Sequence, residues 1–242
     1  MGRVVVLWAA PRSVSTAFEK AFSRRPSTRI VHEPFTDCYY FSENARSRRY
    51  GRQPDRLGYG PAAAIDEIYG CAAPLVFVKD LAFQAEPYVP DEFLAAATNT
   101  FIVRRPRVVL RSLRGLKPDF TEEEFGFEPL ARLLRHVVED LSQEPVVVEG
   151  DRFREAPEVQ LRRYCERIGV DFDSRMLSWP DGRIRAWAPH ERESQAKWHR
   201  TLETSTRIIP PEPAGHVDIR PEEADVVRRA EKVYAELQGY ML

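Results

Sequence analysis

Basic and hydroxyl residues gather at two places in this sequence, each where an apolar run gives way to an amphipathic one. The first place, "WAAPRSVSTAF", sets Arg12 among Ser13, Val14, Ser15 and Thr16 just where a helix begins. A helix N-terminus already carries partial positive charge, so a lone cation costs a few tenths to about 1 kcal/mol there. An anion reverses that sign. Backbone N–H groups of residues 13–16, the hydroxyls and the planar Arg12 guanidinium would then converge on one phosphate or sulfate. A local reading competes: "TAFE" has the form of a capping box from Thr16 to Glu19, and serines before a helix are ordinary caps. The Gly-Lys-[Ser/Thr] ending of the nucleotide-kinase loop is absent.

The second place is "FIVRRPRVVLRSL", where Arg104 ends an apolar run, Pro106 opens a helix and Ser112 follows two turns later. The spacing is Arg, seven residues, Ser. Arg107, Arg111 and Arg114 also fit a plain solvated basic face. Two further strand ends carry chemistry. In "IVHEPF", His32 or Glu33 is placed to take a proton from an acceptor hydroxyl, a general-base role worth roughly 100- to 10,000-fold; the alternative for Glu33 is a salt bridge to an arginine. In "LVFVKD", Lys79 brings positive charge to a transferring group, and Asp80 has the position of a metal-holding aspartate in nucleotide hydrolases. A simple strand-end ion pair accounts for both equally well.

Five short apolar runs must position these groups: residues 3–9, 28–33, 74–80, 99–105 and 144–150. They are continuous rather than alternating, as strands covered on both faces are. Helical patterns separate most of them, in "STAFEKAFSR", "PRVVLRSLRGL" and "EPLARLLRHVVEDL", and "APEVQLRRYCERIGV" and "EEADVVRRAEKVYAEL" follow the last. This implies an α/β fold, a central mainly parallel five-stranded sheet flanked by helices, with ligands at the carboxyl ends of the strands. No repeat or low-complexity linker divides the chain, so a single domain over 1–242 is expected. Residues 38–62 and about 173–215 lack periodicity, and long irregular segments in a compact domain are commonly functional.

Composition narrows the partners. Of 242 residues 43% are hydrophobic, enough for a real core, and the formal net charge of -1 offers no field to gather nucleic acid or anionic membrane. No apolar stretch approaches the roughly 20 residues of a membrane span. The three cysteines, Cys38, Cys71 and Cys165, are scattered and lack zinc or disulfide spacing. With no secretory leader visible, a cytoplasmic protein with reduced thiols is expected.

In order along the chain, "PRSVSTAF", "RRPRVVLRS" and "PVVVEGDRFREAPEVQLRRYCERIGVDFDSRMLSW" resemble the three signatures of sulfotransferases that use 3'-phosphoadenylyl sulfate (PAPS). The resemblance covers about residues 4–179. It implies a P-loop-like three-layer α/β/α fold, PAPS as donor, adenosine 3',5'-bisphosphate (PAP) as product, and no metal. By the same likeness, Arg12 and residues Ser13, Val14, Ser15 and Thr16 hold the 5'-phosphosulfate, Arg104 and Ser112 hold the 3'-phosphate, and Glu33 is the preferred base. A closer likeness is to a bacterial and plant branch with "PRS-ST-F" and "HEPF", some of whose members carry aminotransferase labels. Lys79 is the only lysine ending an expected strand, and no phosphate cup for pyridoxal phosphate accompanies it.

Two departures stand out. Arg12 occupies a place where the family commonly has lysine, which keeps the charge and adds a planar fork. The basic glycine-containing loop that closes over the nucleotide is missing; Trp187, His190, Lys197, Trp198 and His199 are the candidates to stack on adenine or reach the 3'-phosphate. The expectation is a sulfotransferase acting on the hydroxyl of a partly aromatic small molecule held by residues 38–62 and 181–200. An ATP-dependent small-molecule kinase and a non-catalytic nucleotide-binding protein are the alternatives, and oligomeric state is not legible.

Overall fold

In a computed structural model of the chain, residues 2–50, 54–196, 198–212 and 215–242 are described. The apolar runs form β1 (Arg3–Ala9), β2 (Thr28–His32), β3 (Leu75–Leu81), β4 (Thr98–Val103) and β5 (Val146–Glu149). They make one sheet in the order β2-β3-β1-β4-β5 with every pairing parallel. The helices in chain order are α1 (Ser15–Ser23), α2 (Thr36–Tyr40), α3 (Pro61–Tyr69), α4 (Ala82–Ala85), α5 (Asp91–Ala96), α6 (Pro106–Leu116) and α7 (Glu122–Phe125). After them come α8 (Phe127–Arg135), α9 (Gly150–Glu155), α10 (Pro157–Arg167), α11 (Arg192–Ala196), α12 (Arg200–Glu203) and α13 (Ala224–Gln238). The α/β fold expected from the alternating runs is the fold observed.

The unbroken apolar composition of β1 follows from burial on both faces. Val4, Val6, Trp8 and Ala10 enter one core, which α6, α8 and α13 help to close. Val5, Leu7 and Ala9 enter the other, with Phe18 and Phe22 of α1 and Leu161 and Tyr164 of α10. There Phe22 stacks on Phe77 at 4.1 Å and Phe18 meets Tyr164 edge-on at 4.8 Å.

Four strand ends differ from the sequence expectation for identifiable reasons. The fourth run ends at Val103 because Arg104 and Arg105 turn off the sheet to Asp151, ahead of the helix-opening Pro106. The fifth is trimmed at both ends: Pro145 has no N–H to donate, and the Glu149 carboxylate accepts from the Arg152 amide, which starts α9. The second run stops at His32 because Glu33 adopts φ 49°, a left-handed conformation. The helix read through residues 128–141 widens instead into a π-turn over His136–Asp140. On the outer side of β5, Val147 donates to the Tyr240 carbonyl and accepts from the Leu242 amide.

Candidate functional site

The order of the strands reverses beside β1: the chain reaches β2 and β3 on one side, then crosses to β4 on the other. Ligand sites of open parallel sheets lie at the carboxyl edge of such a switch point. Here β1 gives way to the turn Ala10–Val14. The Ser13 hydroxyl donates to the Ala10 carbonyl at 2.6 Å, closing the turn. Arg12 (φ 61°) and Val14 (φ 73°) are left-handed, which costs a residue with a Cβ about 1–2 kcal/mol. Two glycines hold the turn in place. A Cβ on Gly150 would lie 2.6 Å from the Ser13 carbonyl oxygen, and one on Gly126 would lie 2.3 Å from the Pro11 ring. Non-glycine strain of this kind concentrates at functional sites.

The strained turn aims α1 at a cavity of about 270 Å³. Ser15 and Thr16 open the helix, so their amides have no intrahelical acceptor. Val14 is the N-cap and no side chain caps α1, so the Thr16–Glu19 box does not form. Glu19 is instead fully buried and accepts from His32 Nδ1 at 2.8 Å. Arg12 reaches across the cavity. Its Nε donates to the Ser112 hydroxyl at 2.9 Å and a terminal nitrogen donates to the Trp198 carbonyl at 3.0 Å. Burial, and then the Arg104 charge, pull its guanidinium down to about 10, so it remains a cation at neutral pH. Arg104 lines the same cavity and donates to Asp151 at 2.7 Å. The two basic motifs, about a hundred residues apart, therefore share one wall.

The facing wall carries the acid–base candidates. Glu33 is joined to the Lys79 ammonium and also accepts from Gln195 Nε2 at 3.1 Å and the Thr36 hydroxyl at 3.2 Å. Burial alone would raise its carboxyl; Lys79, and after it His32 and His199, reverse that and hold it below the usual carboxylate range. The alternative of an arginine partner for Glu33 is replaced by this lysine. His32 stands behind Glu33 rather than on the cavity wall, its Nε2 3.9 Å from the carboxylate and without a hydrogen-bond partner among the described residues. Asp80 accepts from the Phe35 and Leu81 amides at 2.8 and 2.7 Å and does not line the cavity. That commits both its oxygens to the backbone. Burial, followed by the Glu33 charge, pushes its carboxyl well up.

Several expected residues thus meet at one place: Arg12, Val14, Ser15, Thr16, Glu33, Lys79, Arg104, Ser112 and Trp198 all line the cavity. Ser13 does not, because its side chain is wholly buried in the turn. Lys197 lies outside the described residues. His199 lines the cavity, and burial, reinforced by the nearby His32 charge, drives it down to about 3, so it stays neutral. Trp187 stacks on His199 from behind at 5.2 Å, and His190 is turned away to Asp37 at 3.0 Å. Sequence reasoning missed Thr36, Gln84, Lys117, Glu124, Arg154 and Arg207, which also line the wall. Arg154 alone left a signal, since it follows β5 at the ligand edge.

The model of one family, the sulfotransferase domain, matches residues 3–238. The chain belongs to the sulfotransferase-domain family. This sulfotransferase-domain chain is similar to two proteins of Arabidopsis thaliana named branched-chain-amino-acid aminotransferase-like protein 1 and protein 2. Each is 25% identical, over 230 and 214 residues. The matches cover 89% and 86% of the chain but only 39% and 37% of those proteins, so it spans about two fifths of their length. Among solved structures, its fold resembles the sulfotransferase domain of the Synechococcus PCC 7002 olefin synthase, with TM-score 0.52 and 16% identity over 97% of this chain and 95% of that one. It also resembles the sulfotransferase domain from the curacin biosynthetic pathway, with TM-score 0.51, 13% identity and 97% of both chains covered. Among the described residues, no helix is long and apolar enough to cross a membrane, and no group of three or more His, Cys, Asp or Glu side chains is placed to hold a metal.

Proposed function

We propose that this chain, as one domain, moves a sulfuryl group from PAPS to the hydroxyl of a small-molecule acceptor. The observation that carries the reading is the Arg12–Ser112 hydrogen bond, which joins the strained first turn to the Arg-x7-Ser helix on a cavity faced by Glu33 and Lys79. In this reading the α1 amides, Arg12 and Thr16 hold the 5'-phosphosulfate, and Arg104 with Ser112 holds the 3'-phosphate. Arg154 and Arg207 stand on the same wall as further partners for the donor. The acceptor oxygen attacks sulfur in line, the bond from sulfur to the bridging 5'-phosphate oxygen breaks, and PAP leaves. Glu33 receives the acceptor's hydroxyl proton.

The Glu33–Lys79 pair suits such a step. Held as a carboxylate, Glu33 accepts a proton without first losing one. As Lys79 turns toward charge growing on the transferring group, its hold on Glu33 weakens and the carboxylate becomes more basic. Fixed cations at Arg12, Lys79 and Arg104 supply the electrostatic stabilisation, so the reading needs no metal. The deciding experiment compares melting temperatures with PAP, with ADP plus magnesium, and without ligand, since a ligand bound only by the folded state raises it. A shift with PAP alone that is lost in Arg104→Ala is the expected result. A shift with ADP plus magnesium instead would move the chain to the kinases.

A further inference from the structure

The cavity is also lined by residues to which the donor reading gives no role. Among them are Lys117, at the C-terminal cap of α6, and Glu124 of α7. The two form a buried ion pair, each side chain only 5% exposed. Glu124 is saturated. One oxygen takes the Lys117 ammonium and Arg49 Nε, and the other takes the Thr121 amide at 2.9 Å and a second Arg49 nitrogen at 3.4 Å. Lys117 is not saturated: an ammonium has three donors, and Glu124 is its one partner among the described residues. Two cations share this single buried carboxylate, and the second carboxylate on Arg49, Asp119, is 67% exposed. What enters here meets N–H donors of a buried ammonium that no other described group takes.

The approach to Lys117 is aromatic. Tyr40, Tyr50 and Phe83 line the cavity beside it, with Tyr40 and Tyr50 edge-to-face at 4.9 Å.

We propose that Lys117 is the specificity residue for a carboxylate on the acceptor, so that the acceptor is a hydroxy acid of the aromatic type, its ring against Tyr40 and Phe83 and its hydroxyl at Glu33. The proposal rests on the sulfotransferase reading for the role of the hydroxyl. Recognition of the acid rests on Lys117 alone. A purely structural ion pair explains the arrangement less well, because a buried pair adds little stability over apolar packing and nothing about stapling α6 to α7 requires an ammonium with unused donors facing a cavity.

The test uses three hydroxy acids, 4-hydroxybenzoate, 4-hydroxyphenylacetate and 3-(4-hydroxyphenyl)propionate, each against its own primary amide. Melting temperature is read with and without saturating PAP, and transfer from radiolabelled PAPS gives KM. At least one acid is expected to stabilise the protein more than its amide and to have a KM about tenfold lower, a charge-assisted hydrogen bond being worth that much. Lys117→Met should abolish the difference between acid and amide while leaving the PAP shift intact, and Lys117→Arg should restore part of it. If no acid outperforms its amide, or if Lys117→Met keeps the preference, the proposal falls. If PAP gives no shift, the donor reading falls separately. Dependence of the acid preference on Lys117 then still decides the acceptor question, because Arg12 and Arg104 are unchanged in that variant.

Discussion

Glu33 combines a left-handed backbone, burial and an ion pair with Lys79, features that a residue serving only to fill space would not retain. Glu33→Gln is expected to lower turnover by roughly 100- to 10,000-fold while PAP raises the melting temperature as in the parent. Loss of the PAP shift in that variant would place Glu33 in donor binding instead. His199 makes a different prediction. Burial holds it neutral down to about pH 3, whereas the unfolded chain takes up its proton near 6.5. The group binds more protons unfolded than folded between those values, so its contribution is complete above about pH 6.5 and is lost as pH falls, at up to about 1.4 kcal/mol per pH unit. Denaturation midpoints measured from pH 7 to 5 should fall, and His199→Gln should flatten that slope. Arg12, Glu33, Lys79, Arg104 and Ser112 were legible in the sequence because each sits at a strand end or within one helix of it. Lys117 and Glu124 were not, since nothing local tells a solvated lysine after a helix from one folded back against a capping-box glutamate.

At the scale of elements, the first turn depends on what is placed against it. Gly150 opens α9 directly over the Ser13 carbonyl, and Gly126 sits between α7 and α8 at φ 82° against Pro11. Gly150→Ala should destabilise the protein by about 1–3 kcal/mol, the usual cost of overpacking, and should weaken PAP binding by displacing the turn; calorimetry in the presence and absence of PAP reads both effects. A stability loss with PAP affinity unchanged would mean that the turn holds its shape without α9. The strands were legible because burial on both faces leaves an unbroken apolar run, and their ends erred where a local feature intervened: the Glu149 carboxylate taking the Arg152 amide, Pro145 lacking an N–H, or Glu33 turning left-handed. The Thr16–Glu19 pattern misled for a related reason. Glu19 gains more from the buried His32 ring than from a helix cap, and that ring comes from the next strand.

For the whole molecule, the proposed reliance on the fixed cations Arg12, Lys79 and Arg104 predicts transfer that is unchanged by EDTA, measured with labelled PAPS in metal-depleted buffer. Loss of activity under EDTA that magnesium restores would sink that account. The sheet itself ends in two outer strands, β2 and β5. The short β5 does not present its open side to water: residues 240–242 lie along it, exchanging hydrogen bonds with Val147 through the Tyr240 carbonyl and the Leu242 amide. An uncovered strand edge is a template on which another chain can add. Removing Tyr240–Leu242 touches no residue of the cavity, so the shortened protein should bind PAP as before yet lose colloidal stability. Light scattering at rising concentration would register self-association in the trimmed chain well before the parent. Such a result would give those three residues a role in keeping molecules apart, set apart from the chemistry at the other end of the strands.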